Sequence, residues 1–142
     1  MPYRYFEHIS DIGIEASAPT LEGAFEAGAE AMLSVMFDLA TIGRTTRVGI
    51  SAAAPEVDLL FVETLNEVLS IQGRDELALK TLTGVKITRG DKGYALIGTA
   101  VGEGMDLTRH GVRTEVKGAT YSGLSYNGGA GGAHVLRCVL DV

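Results

Sequence analysis

In TLEGAFEAGAEAMLSVMFD, residues 20–38, apolar side chains recur at the three- and four-residue spacing of an α-helix with one buried face. Thr20 is suited to cap the helix N-terminus, and the carboxylate of Glu22 lies in the first turn, where the helix dipole favours negative charge. We predict a helix that ends near Asp38. Its buried stripe consists of Leu21, Ala24, Phe25, Ala29, Met32, Leu33 and Met36.

The segments on both sides of this helix have the patterns of strands. Residues 3–9 and 12–18 alternate or are enriched in apolar residues, which predicts two short strands with a hinge near Ser10 and Asp11. After the helix, residues 44–52 predict a further strand with Val48 and Ile50 on its inner face.

A second helix is predicted to begin at Pro55, a residue that is favourable at the first helical position, and to end near Gly73. Its apolar stripe consists of Leu60, Phe61, Thr64, Leu65, Val68 and Leu69. The pattern then changes to period two, which predicts strands at 79–88 and 94–101 joined by a turn at 89–93.

The C-terminal part predicts two final strands, at 114–126 and 134–142, joined by a glycine-rich hairpin loop at 127–132. The whole chain, residues 1–142, is therefore expected to form one domain. We predict an α+β sandwich in which two main helices pack on a largely antiparallel sheet of about six or seven strands.

Composition narrows the class of protein. The formal net charge is −6 and the pI is near 5.0, so the basic surface needed for direct nucleic-acid binding is not expected. No apolar run reaches the roughly 18–20 residues of a membrane span. The N-terminus MPYRYFEH lacks the pattern of a signal peptide, which predicts a cytoplasmic protein without membrane attachment.

Motifs of common catalytic sites are missing from the sequence. The 127–132 loop is followed by neither the lysine nor the helix of a phosphate-binding P-loop, and the three histidines lack the spacing of zinc hydrolases. Cys138 alternates with Leu136 and Leu140, which is typical of a buried thiol rather than a nucleophile.

Two aspartates lie in otherwise apolar runs, Asp11 in HISDIGIEA and Asp141 in HVLRCVLDV. Asp11 could stabilise a turn, and Asp141 could face solvent or accept hydrogen bonds from Arg137. If instead the two carboxylates met, their repulsion would favour a hard cation such as calcium or magnesium. The main-chain carbonyl or terminal carboxylate of Val142, and water, would then complete the ligands. The residues alone leave both interpretations open.

Several blocks of the sequence resemble the archease family. HISDIGIEA followed by PTLEGAFEAGAEAMLSVMFD is similar to the family's N-terminal signature, usually H-T-A-D-I-G-I, then T-L-E-E-A-F and a small-residue helix. The similarity continues through residues 58–60, 65–69, 102–103, Asp106, His110, 115–121 and 140–142. Ile9-Ser10 replaces Thr-Ala, Gly118 replaces Ala, and Ser122 stands where His is common.

The resemblance implies a small accessory protein of the RNA ligase that joins tRNA exons, a manganese- and GTP-dependent enzyme with a histidine nucleophile. Archeases promote guanylylation and multiple turnover of that ligase, and they carry a divalent metal, assigned as calcium. Asp11 and Asp141 match the family's metal ligands, with the carbonyl or carboxylate of Val142 beside them, and Lys117 matches a lysine needed for activation. The N-terminal hinge and the final strand must then be neighbours in the fold.

Two other classes of function remain open. A general chaperone or modulator of nucleic-acid-processing proteins is compatible with the small size and the acidic charge. A metal-dependent enzyme is less well supported, because two carboxylates without a candidate base or nucleophile provide little chemistry. We therefore predict a protein that is not itself an enzyme.

Overall fold

The computed structural model of the chain describes residues 2–8, 11–128 and 132–142. The helices are α1 (Leu21–Met36) and α2 (Val57–Arg74), and a single 3₁₀ turn spans Leu39–Thr41. The strands are β1 (Tyr3–His8), β2 (Asp11–Ala18), β3 (Phe37–Asp38), β4 (Thr46–Ala54), β5 (Leu77–Gly90), β6 (Gly93–Gly104), β7 (Gly111–Val112), β8 (Gly118–Gly128) and β9 (His134–Asp141).

The strands form three sheets in which every described pairing is antiparallel. Their orders are β1-β2-β9-β8, β4-β6-β5 and β3-β7. Both helices pack on the two larger sheets, α1 mainly on β2 and β5 and α2 mainly on β4 and β8. The predicted α+β class with two main helices is confirmed. The single sheet of about six or seven strands was predicted wrongly, since the described residues form nine strands that divide among three sheets.

The N-terminal end of α1 follows the sequence prediction, whereas its C-terminal end does not. Thr20 Oγ1 accepts a hydrogen bond from the Gly23 amide at 3.0 Å, as expected for an N-cap. The helix ends at Met36 rather than near Asp38, because Phe37 and Asp38 pair with β7 as the short strand β3.

The end of α1 is capped by a segment from the C-terminal half of the chain. The main-chain amides of Arg113 and Thr114 donate to the carbonyls of Met36 and Val35 at 2.7 and 3.1 Å, and the Arg113 guanidinium donates to Ser34 O at 3.2 Å. These bonds satisfy carbonyls that have no partner within the helix. The predicted strand at 114–126 was therefore wrong at its start, since β8 begins only at Gly118.

The other boundaries differ from the predictions by a few residues. Helix α2 begins after Glu56, two residues beyond Pro55, and extends past Gly73 to Arg74. Two residues after the end of α2, Glu76 has a left-handed φ of 53°, which prevents the helix from continuing. Of the predicted hinge, Asp11 is the first residue of β2, whereas Ser10 lies outside the described part of the chain, as do residues 9 and 129–131.

The core lies between the helices and the sheets. Phe25 of α1 and Phe61 of α2 are fully buried and meet edge to face, with ring centroids 5.5 Å apart. Gly28 of α1 lies directly against the Phe61 ring, where an added Cβ would overlap it. Leu136, Cys138 and Leu140 of β9 face this core. The helices thus pack against one face of β9.

Candidate metal centre

Asp11 and Asp141 lie directly opposite each other in the four-stranded sheet. Strand β2 begins at Asp11, β9 ends at Asp141, and the antiparallel register makes these two residues cross-strand partners. Directly opposed residues have their side chains on the same face of a sheet. Asp11 is half-buried and Asp141 is exposed. The structure therefore brings together two carboxylates that are about 130 residues apart in sequence.

The alternation of the two strands places both aspartates on the face that points away from the core. On the same face, Glu15 and Arg137 are also cross-strand partners, and their Oε2 and Nε atoms are 3.2 Å apart. Glu15 is bound in addition by Arg4 of β1, with 2.8 Å between Nε and Oε1. Arg137 thus forms an ion pair with Glu15. This pairing does not support the alternative in which Arg137 donates hydrogen bonds to Asp141.

Val142 and Lys117 are attached to the same end of β9. Val142 follows Asp141 in sequence, and its side chain is half-buried and packs against the core. The main-chain amide of Lys117 donates to Asp141 O at 2.8 Å, while the Lys117 side chain is exposed. Asp141 therefore joins the residues that the resemblance singled out: Asp11 is its cross-strand partner, Lys117 is hydrogen-bonded to it, and Val142 follows it in the sequence.

The available donor atoms suit a hard cation. Opposed carboxylates repel each other, and a divalent ion between them would neutralise that repulsion. Among the described residues no cluster of three or more His, Cys, Asp or Glu side chains is arranged to hold a metal. Calcium at this position would take Asp11 and Asp141 as its side-chain ligands and would need Val142 main-chain oxygens and water for the rest. That a cation binds here stays a prediction.

Residues 113–117, which we call the strap, line two concave surfaces. One cavity of about 470 Å³ is lined by Asp11, Arg113 and Thr114 together with Tyr5, Ile12, Ser34 and Val35. A second, of about 570 Å³, is lined by Lys117 and by residues that include Met36, Asn66, Leu69 and Met105. Asp11 thus borders one partly apolar hollow, and Lys117 borders the other.

A second cluster of charged residues was not assigned a role from the sequence. The buried carboxylate of Glu103 accepts hydrogen bonds from the Gly43 amide at 2.6 Å and from His110 Nε2 at 2.8 Å, and Arg109 lies 2.6 Å from its other oxygen. The Gly43 bond, followed by those from His110 and Arg109, lowers the pKa of Glu103 to about 2. The cluster ties the 103–110 segment to the loop after the 3₁₀ turn. The signal in the sequence was a glutamate in the apolar run AVGEG.

The buried thiol of Cys138 is confirmed as a core group. Its side chain is fully buried, and burial raises its pKa to about 12, far from the range of a thiolate nucleophile.

The model of the archease protein family matches residues 3–142. This chain belongs to the archease family. It is 31% identical to the protein archease of Pyrococcus furiosus over 140 residues, which cover 99% of this chain and 98% of that protein. The archease of Sulfolobus acidocaldarius is 31% identical over 142 residues, with coverage of 99% and 98%.

A solved structure extends the family match to the fold. The solution structure of protein 1598 from Methanobacterium thermoautotrophicum has a TM-score of 0.85 and 29% identity to this chain, and it covers 99% of each chain. The archease relatives are not named as enzymes. Within the described residues, neither helix of this family member is long and apolar enough to cross a membrane.

Proposed function

We propose that this protein is a non-catalytic activator of the GTP-dependent RNA ligase of tRNA splicing and RNA repair. It promotes guanylylation and multiple turnover of that ligase in the cytoplasm, with a calcium ion bound by Asp11, Asp141 and Val142. The main support is the archease family match over residues 3–142, together with the position of Asp11, Asp141 and Lys117 beside one another where β2 begins and β9 ends.

The exposure of the candidate centre supports an accessory role. Asp141 and Lys117 are both on the surface, and the hollows beside the strap provide apolar area that a protein partner can cover. The ammonium group of Lys117 is a compact charge suited to a phosphate or to an acidic side chain of the partner. With a net charge of −6, the chain is better suited to a protein partner than to direct RNA binding.

The proposal is tested by a ligation assay with RNA ends that carry a 3′-phosphate and a 5′-hydroxyl. The cognate ligase is assayed with excess RNA, GTP and manganese, with and without this protein, and ligase guanylylation is measured in parallel. We expect this protein alone to join no ends and to increase both ligase guanylylation and the number of turnovers. Equal rates with and without it under multiple-turnover conditions would contradict the proposal.

A pulldown from native extract distinguishes this function from that of a general chaperone. One dominant ligase partner is the expected result, and its recovery should depend on Lys117. Recovery of many unrelated nucleic-acid-processing proteins, without enrichment of the ligase, would instead favour the chaperone.

A further inference from the structure

Asn66 of α2 binds both main-chain polar groups of Ala119 in β8. Its Oδ1 accepts from the Ala119 amide at 2.8 Å, and its Nδ2 donates to the Ala119 carbonyl at 3.2 Å. Strand β8 is at the edge of the four-stranded sheet, with β9 as its one strand neighbour among the described residues. The side-chain amide of Asn66 therefore occupies the place that a further strand would take at this edge.

The segment that carries Lys117 has few other attachments. The β8–β9 ladder has three regular pairs, at Gly118, Ala119 and Thr120, before its register shifts. Pairing resumes only at Ser125, so residues 121–124 form a bulge opposite Cys138. A short ladder next to a bulge holds its first residues weakly. The bonds from Asn66 reinforce the middle of these three pairs from the opposite side.

Lys117 directly precedes this ladder and is held by its amide bond to Asp141 O. If the start of β8 moved away from β9, this bond would break, and the ammonium group of Lys117 would lose its fixed position relative to the aspartate pair. Asn66 binds Ala119, which is two positions after Lys117 in the sequence. Asn66 lies on α2, and the packing of α2 in the core fixes its position.

We propose that Asn66 is a positioning residue, which holds the main chain of Lys117 against Asp141 and so sets where the lysine charge is presented to the partner. Its effect on activation rests on the proposed function, whereas its effect on the main chain of Lys117 does not.

The structural part is tested by amide hydrogen exchange in Asn66→Ala, with Ser70→Ala as the control. Ser70 is exposed and lies one turn further along α2. The Ala119 amide loses its acceptor in Asn66→Ala, so its exchange must accelerate in any case. The decisive site is Lys117, whose amide keeps its acceptor, and we expect its exchange to accelerate by about tenfold or more. Unchanged exchange at Lys117 would overturn the proposal.

The functional part is tested in the ligation assay with Asn66→Ala and with Ser51→Ala, a change at an exposed residue of β4 that lines neither hollow. Asn66→Ala should raise the concentration needed for half-maximal activation by about tenfold, and Ser51→Ala should not. In a Lys117→Ala background, Asn66→Ala should cause no further loss, because it acts through the lysine. Additive losses in the double variant would show that Asn66 acts by another route.

Two further arms keep the outcomes separate. Asn66→Asp keeps an acceptor for the Ala119 amide but loses the donor to the Ala119 carbonyl. The exchange rate of the Lys117 amide should therefore lie between those of the wild type and Asn66→Ala. Asn66→Asp also replaces Asn66→Ala if that variant does not fold. If the wild-type protein fails to activate the ligase, the proposed function is wrong, and the exchange of the Lys117 amide still determines whether Asn66 positions it.

Discussion

Glu103 is an ionisable residue whose environment makes a definite prediction about acid stability. Its pKa in the folded protein is about 2, compared with an ordinary value of 4.5. Because the folded-state pKa is the lower one, its contribution is fully present above the unfolded value and is lost as the pH falls from about 4.5 through 2. We expect Glu103→Gln to be less stable near neutral pH and to lose less stability on acidification.

Urea unfolding of both proteins between pH 7 and pH 2 measures this difference. The gap between wild type and Glu103→Gln should narrow at the acid end. A gap that stays constant over the whole range would show that the carboxylate charge of Glu103 does not stabilise the fold.

Lys117→Ala is predicted to separate function from folding. The side chain is exposed, and surface substitutions of this kind change the free energy of unfolding by less than about 0.5 kcal/mol. Activation of the ligase should nevertheless fall by about tenfold or more, because the variant loses a charged contact to its partner. Lys92→Ala, in the exposed turn between β5 and β6, is the matched control and should activate normally. Full activation by a folded Lys117→Ala would exclude a role for this lysine.

At the scale of elements, the packing of α1 on α2 predicts that alanine is tolerated less well at Gly28 than at Gly73. In Gly28→Ala, better helix propensity contributes about 1 kcal/mol, whereas the new Cβ would overlap the fully buried ring of Phe61, and such overpacking costs roughly 1–3 kcal/mol. Gly73 of α2 has open space at the Cβ position. We therefore expect Gly28→Ala to be destabilised and Gly73→Ala to be unchanged or more stable.

Chemical denaturation of the two variants checks this prediction. A Gly28→Ala protein as stable as Gly73→Ala would show that the Phe61 ring can shift without cost and that the two helices are not tightly packed at this point.

At the scale of the whole molecule, the pairing of β2 with β9 predicts that calcium stabilises the fold. An ion that binds only the folded form adds RT ln(1 + [L]/Kd), about 2.7 kcal/mol at a hundredfold excess over Kd. Calcium should raise the Tm of the wild type and a chelator should lower it. Asp11→Ala and Asp141→Ala should each lose the response, whereas Glu115→Gln, an exposed carboxylate of the strap, should keep it. A wild-type Tm that is indifferent to calcium and chelator would mean that the two aspartates hold no ion.

Both helices, the cap at Thr20 and the buried thiol of Cys138 were predictable from the sequence, because periodicity and capping depend on residues within a few positions of each other. Asp11 and Asp141 could also be identified as candidate ligands from the local sequence, because they are carboxylates in apolar runs. The family resemblance added Lys117. Helix and strand ends were predicted less well. The end of α1 depends on β3 pairing with β7 and on the amides of Arg113 and Thr114, none of which its own sequence contains.

Only the tertiary structure determined the cross-strand pairing of Asp11 with Asp141. The same is true of the hydrogen bonds between Asn66 and Ala119 and of those from Gly43 and His110 to Glu103. Two of these contacts join residues 53 and 60 positions apart, and the aspartate pair spans nearly the whole chain. The local sequence sets which residues can donate, accept or repel. Which of them meet is set by the register of β2, β8 and β9, by the packing of α2 and, for Glu103, by the position of β6. The burial of one face of each element against the core fixes where its remaining side chains lie.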